Sequence, residues 1–302
     1  MATLLLLAAC LKSAPKDTAS VLDAGAMRDE VPNARAPHFL GGRAPTRHAR
    51  VVSLAPSVTE IVFALGAGDS LVGVTRFCDE PAAARALPKI GGFLDPSLEA
   101  VAALKPDLII TVPNGQARSV TERLAEIGHP VLLLYDYTLA DVEQGILAVA
   151  RALDLEAAGV ALIDTMRRDV AAVRARVAGS ERPRVLFLYG HKPLVAAGPG
   201  SYADALIEIA GGVNAAGRGM ARYPTLSLET LIGLKPEVII DAFPAGMGAA
   251  PESTEMENLS SVPAVAHGRV YALRDNASLR PGPRVGADAR LLAALLHPGP
   301  PP

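Results

Sequence analysis

The amino-acid sequence predicts an α/β protein made of two similar Rossmann-like lobes, with mainly parallel sheets, joined by one long α-helix. Three observations lead to this prediction. A helix–turn–strand segment occurs twice, strand and helix patterns alternate around each copy, and a long proline-free segment lies between the copies. A chain of 302 residues is also long enough for about two domains.

The repeated segment is the strongest of these observations. The first copy, at 97–110, reads SLEAVAALKPDLII, and the second, at 227–240, reads SLETLIGLKPEVII, with eight of 14 positions identical. Their separation is too large for a solenoid, in which short units stack on their neighbours. The repeat therefore predicts two related lobes.

Each copy has the pattern of a helix followed by a buried strand. In the first copy, Asp95-Pro96 is predicted to supply the cap and the first helical residue. Apolar residues spaced three apart then form one helix face from 98 to 104. Pro106 ends the helix, and the continuous apolar run at 108–112 is typical of a strand covered on both faces.

Similar patterns continue along the rest of the chain. Ser57 and Glu60 form the pattern of a capping box, Gly66 is predicted to end that helix, and Thr138 is predicted to cap a later one. The predicted strands are 50–54, 71–74, 131–135, 184–189, 238–241 and 270–273, and the predicted helices are 57–65, 116–127, 202–210 and 285–296. This alternation favours parallel sheets.

The segment from 139 to 177 lacks proline and is rich in alanine with helical spacing. A helix over 156–177 alone would be about 33 Å long, and the Gly179–Pro183 segment would end it. We therefore assign an N-terminal lobe to 49–138, connecting helices to 139–180 and a C-terminal lobe to 181–302. A helical connection of this length predicts a stiff hinge.

The N-terminus carries a different signal. Residues 1–10 read MATLLLLAAC, which is similar to the end of a bacterial lipoprotein signal, with Cys10 as the lipidated residue. The alternative is an apolar N-terminus without this role, since the usual positively charged part is missing. Residues 11–48 predict a flexible tether. Cys78 would then have no disulfide partner and is expected to be a small buried residue.

Composition and motifs exclude several classes of function. Half of the residues (50%) are hydrophobic, but no apolar run approaches the roughly 18–20 residues of a spanning helix. The net charge of −2 and the lack of a basic tract argue against nucleic acid as a partner. No Walker A, G-x-S-x-G or H-E-x-x-H motif is present, so we predict no enzyme. The six histidines are not closely spaced, so we predict no metal site and no cofactor.

Three segments carry a family resemblance. They read VVSLAPSVTE at 51–60, LVGVTRFCDEP at 71–81 and LPKIGGF at 87–93. Together they resemble the helical-backbone (class III) substrate-binding proteins of ABC transporters, which carry cobalamin, haem or ferric siderophores. Their order and spacing are most similar to the cobalamin-binding component. The resemblance spans roughly 50–296 and implies a ligand held in the cleft between the lobes.

The resemblance also implies partners and a location. The partners would be an ABC permease with its ATPase and a corrinoid ligand, and the protein would be a monomer outside the cytoplasm, in the periplasm, with a lipid anchor at Cys10. The alternatives are the same fold with haem or a ferric siderophore, a two-lobed nucleotide-binding type of enzyme, and a lipoprotein that uses its cleft to bind another protein.

Resemblance and position at strand ends nominate the ligand-binding residues. These are Phe77, Phe93, Tyr189, Tyr223, Asp275 and Arg284. Aromatic faces suit a large flat macrocycle, but each ring could equally belong to ordinary packing. Asp275 and Arg284 could instead pair with each other at the surface. His191 is a further candidate for a haem-type ligand. The absence of Trp leaves the ligand's identity open.

Two glutamates occupy the same position in the two copies of the repeat. The resemblance implies that Glu99 and Glu229 dock on arginines of the permease, one from each lobe. The alternative is that each only interacts with the positive end of its own helix, which is worth about 0.3–1 kcal/mol.

Overall fold

The protein was analysed as a computed structural model that describes residues 36–40, 50–242, 259–273 and 279–298. Cys10, Asp275 and most of the predicted tether lie outside these residues. No helix in the described ranges is long and apolar enough to cross a membrane.

The first lobe is built on a five-stranded sheet with the order β1-β5-β4-β2-β3. All neighbouring strands are parallel except β1, which is antiparallel to β5. The strands are β1 (His38–Leu40), β2 (Val51–Ser53), β3 (Leu71–Val74), β4 (Leu108–Thr111) and β5 (Val131–Leu133), and the helices are α1 (Pro56–Ala64), α2 (Leu98–Ala103) and α3 (Arg118–Glu126).

Two helices follow the first lobe and lead to the second. They are α4 (Leu139–Ala152) and α5 (Glu156–Val177). Thr138 caps α4 through a reciprocal capping box with Asp141, as Thr138 was predicted to do. Asp154, with φ of +57°, separates the two helices, because a left-handed residue cannot continue an α-helix.

The second lobe has a sheet with the order β11-β10-β6-β7-β9, in which β8 also pairs with β6. Its strands are β6 (Arg184–His191), β7 (Leu194–Ala196), β8 (Val213–Asn214), β9 (Thr225–Leu226), β10 (Val238–Asp241) and β11 (Val270–Ala272). Its helices are α6 (Tyr202–Ile209), α7 (Leu228–Leu234), α8 (Pro263–Ala266) and α9 (Val285–Leu296). Helix α9 packs along α5, with Gly286 at the close approach beside Asp169.

The structure confirms that the repeat reflects two related lobes. Val51 pairs with Leu108 in the first sheet as Val185 pairs with Val238 in the second, both in parallel register. The correspondence extends to the neighbouring strands, since β4 pairs with β5 as β10 pairs with β11. All four residues of β4 and of β10 are buried, as expected for strands covered on both faces.

The repeated helices are also held in the same way. The Arg50 Nη2 donates to the Leu104 carbonyl at 2.6 Å, and the Arg184 Nη2 donates to the Leu234 carbonyl at 2.8 Å. Each guanidinium therefore satisfies a carbonyl at the C-terminal end of a helix, where no intrahelical donor remains.

Four local expectations were wrong. Helix α1 has no side-chain cap, because Ser57 lies inside the helix and Glu60 points to the other lobe. Helix α2 begins at Leu98 with Ser97 as its cap, and Asp95 instead pairs with Arg76 at 2.9 Å.

The other two concern strands. Residues 38–40, expected to be part of a flexible tether, add strand β1 to the edge of the first sheet. The antiparallel strands β7 and β9 were not predicted, because each is only two or three residues long.

Candidate functional site

Side chains from both lobes meet where the two sheets face each other. The first lobe supplies Asp136 and Tyr137, which follow β5, and the second supplies Tyr189 from β6 and Arg222 and Tyr223, which precede β9. We call these five residues the seam cluster. The ring centroids of Tyr189 and Tyr223 are 5.8 Å apart, and the Arg222 Cζ lies 5.1 Å from the centre of the Tyr137 ring.

The antiparallel strands of the second lobe bring two members of this cluster into place. Strand β7 pairs with both β6 and β9, so the segment before β9 runs beside the end of β6. The Gly198 N–H donates to the Arg222 carbonyl at 2.7 Å. A Cβ at Gly198 would collide with the Ala221 carbonyl oxygen, so only glycine permits this approach.

Asp136, Tyr189 and Tyr223 of the seam cluster have pKa values shifted towards the neutral form. Burial raises the pKa of Asp136 to about 6, the nearby Asp141 adds to the shift, and a hydrogen bond with Ser57 opposes it. Burial also raises the pKa of Tyr189 and of Tyr223. Both phenols therefore stay neutral at physiological pH and present apolar faces with a polar hydroxyl.

A second set of contacts between the lobes is ionic. The Glu60 side chain, only 5% exposed, lies in α1 and meets two arginines from the segment before α9. The Arg284 Nε is 2.6 Å from one Glu60 oxygen, and the Arg280 Nη1 is 3.3 Å from the other. Arg280 also donates to Asp79 at 3.1 Å.

A small cavity lies at the same seam. It is lined by residues that include Ser57, Ile61, Asp136 and Pro281, and its volume is about 10 Å³. That volume is enough for about one water molecule.

The sequence comparison identifies the family. Residues 51–277 match the family described as periplasmic binding protein. The chain belongs to this family. Proteins of this family are substrate-binding components of transport, and membership implies a location outside the cytoplasm.

Individual relatives agree with the family assignment. A vitamin B12-binding protein from Vibrio parahaemolyticus is 29% identical over 235 residues, which cover 78% of this chain and 84% of the relative.

Solved structures give the same fold. The periplasmic heme-binding protein RhuT from Roseiflexus sp. RS-1 is 30% identical with a TM-score of 0.72, and the match covers 82% of this chain and 97% of that one. The vitamin B12-binding protein BtuF of Vibrio cholerae is 26% identical with a TM-score of 0.70, and the match covers 83% and 98% of the two chains.

The structure brings together only some of the predicted ligand-binding residues of this periplasmic binding protein. Tyr189 and Tyr223 meet in the seam cluster. Phe77 and Phe93 are partly buried, and no ring contact joins them to the cluster within the described ranges. Arg284 lies at the seam but contacts Glu60.

Several residues of the seam were not predicted. Asp136 and Tyr137 directly follow a predicted strand, and Arg222 directly precedes a predicted site residue, so position at strand ends could have nominated them. Glu60 was read as a capping residue, and nothing in its local sequence indicates a partner 220 residues away.

The two glutamates of the repeat occupy equivalent exposed positions. Glu99 lies in the first turn of α2 and Glu229 in the first turn of α7. Ser97 donates a hydrogen bond to Glu99 at 3.1 Å. Beside Glu229, the side chains of Leu228 and Ile232 are 61% and 38% exposed, so this acid is flanked by apolar surface.

Two other residues have structural partners. The His191 Nε2 lies 3.1 Å from an Asp241 oxygen, and within the described ranges no group of three acidic, histidine or cysteine side chains could hold a metal ion. Cys78 is buried and free, as expected, and its sulfur is 3.1 Å from the hydroxyls of Thr59 and Thr75.

The ionic contact predicts the effect of removing Glu60. Glu60→Ala removes the buried carboxylate that Arg280 and Arg284 share, and we expect a loss of about 3 kcal/mol in the free energy of unfolding. The control is Glu126→Ala, which breaks an exposed pair with Arg123 and should cost less than about 1 kcal/mol. Urea unfolding measures both, and equally small losses would contradict a role for Glu60 in joining the lobes.

The raised pKa of Asp136 predicts a pH dependence of stability. The folded protein keeps the proton up to about pH 6, whereas the unfolded chain loses it near 3.8. The free energy of unfolding should therefore fall as the pH rises from about 4 to 6, by at most about 3 kcal/mol.

Asp136→Asn tests this pH dependence, because the variant should lose the fall in the free energy of unfolding between about pH 4 and 6 that Asp136 causes. Urea unfolding between pH 4 and 7 measures it, with the exposed Asp164→Asn as the control. An unchanged slope in Asp136→Asn would show that Asp136 titrates normally in the folded state.

Proposed function

We propose that this periplasmic binding protein captures cobalamin in the cleft between its lobes and delivers it to an ABC importer. The observation that carries the proposal is the match to vitamin B12-binding proteins, which extends over 78% of the chain. It includes both lobes, and therefore both sides of the cleft.

The chemistry of the seam cluster supports a corrinoid. Tyr137, Tyr189 and Tyr223 offer ring faces and edges to a flat macrocycle, at a low cost in side-chain entropy. Because Tyr189 and Tyr223 remain neutral, their hydroxyls can donate to the amide oxygens around a corrin ring. Separation of Arg222 from Tyr137 would open the space that the ligand needs.

Haem is the second candidate, and a specific observation favours it. RhuT, a heme-binding protein, is as similar to this chain as the vitamin B12-binding relatives are. Tyrosine and histidine are both known types of haem iron ligand. Tyr189 and His191 both belong to β6, and Tyr223 contacts Tyr189. The ligand titration below separates the two candidates.

Docking on the permease is the second part of the proposal. Glu99 and Glu229 would meet basic residues on the permease, one for each lobe, since exposed complementary charges set the register and rate of association. Their equivalent positions in the repeat support this role. The same proposal includes three further points. They are the division into lobes at 49–138 and 181–302, the monomeric state, and lipid anchoring through Cys10.

Ligand binding is tested by titrating the full chain with cyanocobalamin, haemin and a ferric siderophore, followed by calorimetry and visible absorption. We expect binding of cobalamin with a dissociation constant of about 1 μM or tighter. Binding of haemin alone would establish the second candidate instead. No binding of any of the three ligands would overturn both.

Docking is tested by the double variant Glu99→Ala/Glu229→Ala. We expect loss of cobalamin uptake in a strain that depends on this protein and its transporter, with unchanged ligand affinity, because both residues lie on exposed helix ends outside the cleft. The single variant Glu126→Ala, an exposed acid on α3, is the control. If the ligand affinity of the double variant fell as much as its uptake, a docking role for the two glutamates would be contradicted.

A further inference from the structure

Arg222 differs from the other arginines at the seam. Arg280 and Arg284 share the Glu60 carboxylate, whereas the Nε and Nη1 atoms of Arg222 are buried and have no hydrogen-bond acceptor among the described residues. The guanidinium stays charged at any physiological pH. Buried donors of a charged group are costly to leave without an acceptor, so this arrangement suits an acceptor that the described residues do not supply.

The backbone holds Arg222 firmly while its side chain reaches across the cleft. Its carbonyl accepts from the Gly198 N–H at 2.7 Å, and its guanidinium lies over Tyr137 of the other lobe. A guanidinium stacked on a ring keeps its N–H groups in the plane of the fork. The donors of Arg222 are therefore held between the lobes, beside Tyr137 of the first lobe.

The acid of the seam cluster does not supply the missing acceptor. Asp136 is hydrogen bonded with Ser57, on the opposite side of the cleft. The positive charge of Arg222 therefore has an aromatic neighbour but no carboxylate partner in the described ranges. An arrangement of this kind suits an acceptor oxygen carried at the edge of a flat ligand whose faces meet the tyrosines.

We propose that Arg222 is a ligand-binding residue, which takes an acceptor oxygen at the edge of the bound macrocycle. The inference rests on the proposed function and deepens it. Two kinds of cobalamin oxygen have the required chemistry, the carbonyls of the amide side chains around the corrin ring and the phosphodiester of the nucleotide loop. The carboxylates of haem are also acceptors, and Arg222 would bind them in the same way.

The test compares Arg222→Met with the wild-type full chain. Methionine keeps most of the packing on Tyr137 but has no donor, so the affinity for cyanocobalamin should fall by about 10- to 100-fold. Arg222→Lys restores the charge and one donor group and should have an intermediate affinity. Arg218→Met, on the exposed part of the same loop, is the matched control and should bind as the wild type does.

A second corrinoid identifies which ligand oxygen accepts from Arg222. Dicyanocobinamide lacks the nucleotide loop, so an equal loss of affinity for both corrinoids in Arg222→Met assigns the amide carbonyl. A loss for cyanocobalamin alone assigns the phosphodiester. If the wild type binds only haemin, the same variants are titrated with haemin, and a loss of similar size supports the carboxylate.

The melting temperature of the ligand-free protein separates binding from a structural role. We expect Arg222→Met to change it by less than about 2 °C, because the Nε and Nη1 donors make no hydrogen bond with the described residues. Affinity within twofold of the wild type, or a fall in melting temperature of more than about 5 °C in both Arg222→Met and Arg222→Lys, overturns the inference. If the wild type binds none of the probes, the proposed function fails and the inference fails with it.

Discussion

One buried carboxylate holds the two lobes against each other. Glu60 belongs to α1 of the first lobe, and its two arginine partners precede α9 of the second. A charge at this depth is tolerated only when its partners surround it, so the position of α1 and the approach to α9 are linked. The seam cluster lies beside this contact, and its spacing depends on the same alignment of the lobes.

The seam cluster, the candidate site, arises where the two lobes differ. Their parallel strands match in order and in register, and both carry a capped helix with an exposed glutamate. The second lobe adds the antiparallel strands β7 and β9 beside β6, and the segment that precedes β9 places Arg222 and Tyr223 in the cleft. The related strands and helices of the two lobes thus form the two sides of the cleft. Strands β7 and β9 are added to the second lobe alone, and with them come Arg222 and Tyr223.

The sequence predicted the parts of the fold that depend on local patterns. Helices α5 and α9 span the predicted residues 156–177 and 285–296, since long apolar periodicity and clear end signals define them. Strand β1 and the pair β7 and β9 were missed because strands of two or three residues carry too few side chains to show a period. Their pairing partners, not their own composition, make them strands.

The site was predicted in part, for a related reason. Tyr189 and Tyr223 could be named because aromatic residues at strand ends are visible in the sequence. Glu60 could not, since the pattern it forms with Ser57 is that of a capping box and its real partners are distant in the chain. Arg222 stands next to a predicted site residue, but only the packed structure shows that its buried Nε and Nη1 atoms lack an acceptor among the described residues.

The matched arginines at the start of each lobe have a consequence for how the molecule opens. Arg50 joins the start of β2 to the end of α2, a contact between residues separated by 54 positions, and Arg184 makes the equivalent contact with α7 across 50 positions. Fraying of the end of α2 or α7 therefore also breaks a bond to the residue that begins β2 or β6. Local opening of this kind is tied to the stability of the whole lobe, so we expect each lobe to exchange its amide hydrogens as one cooperative unit rather than helix by helix.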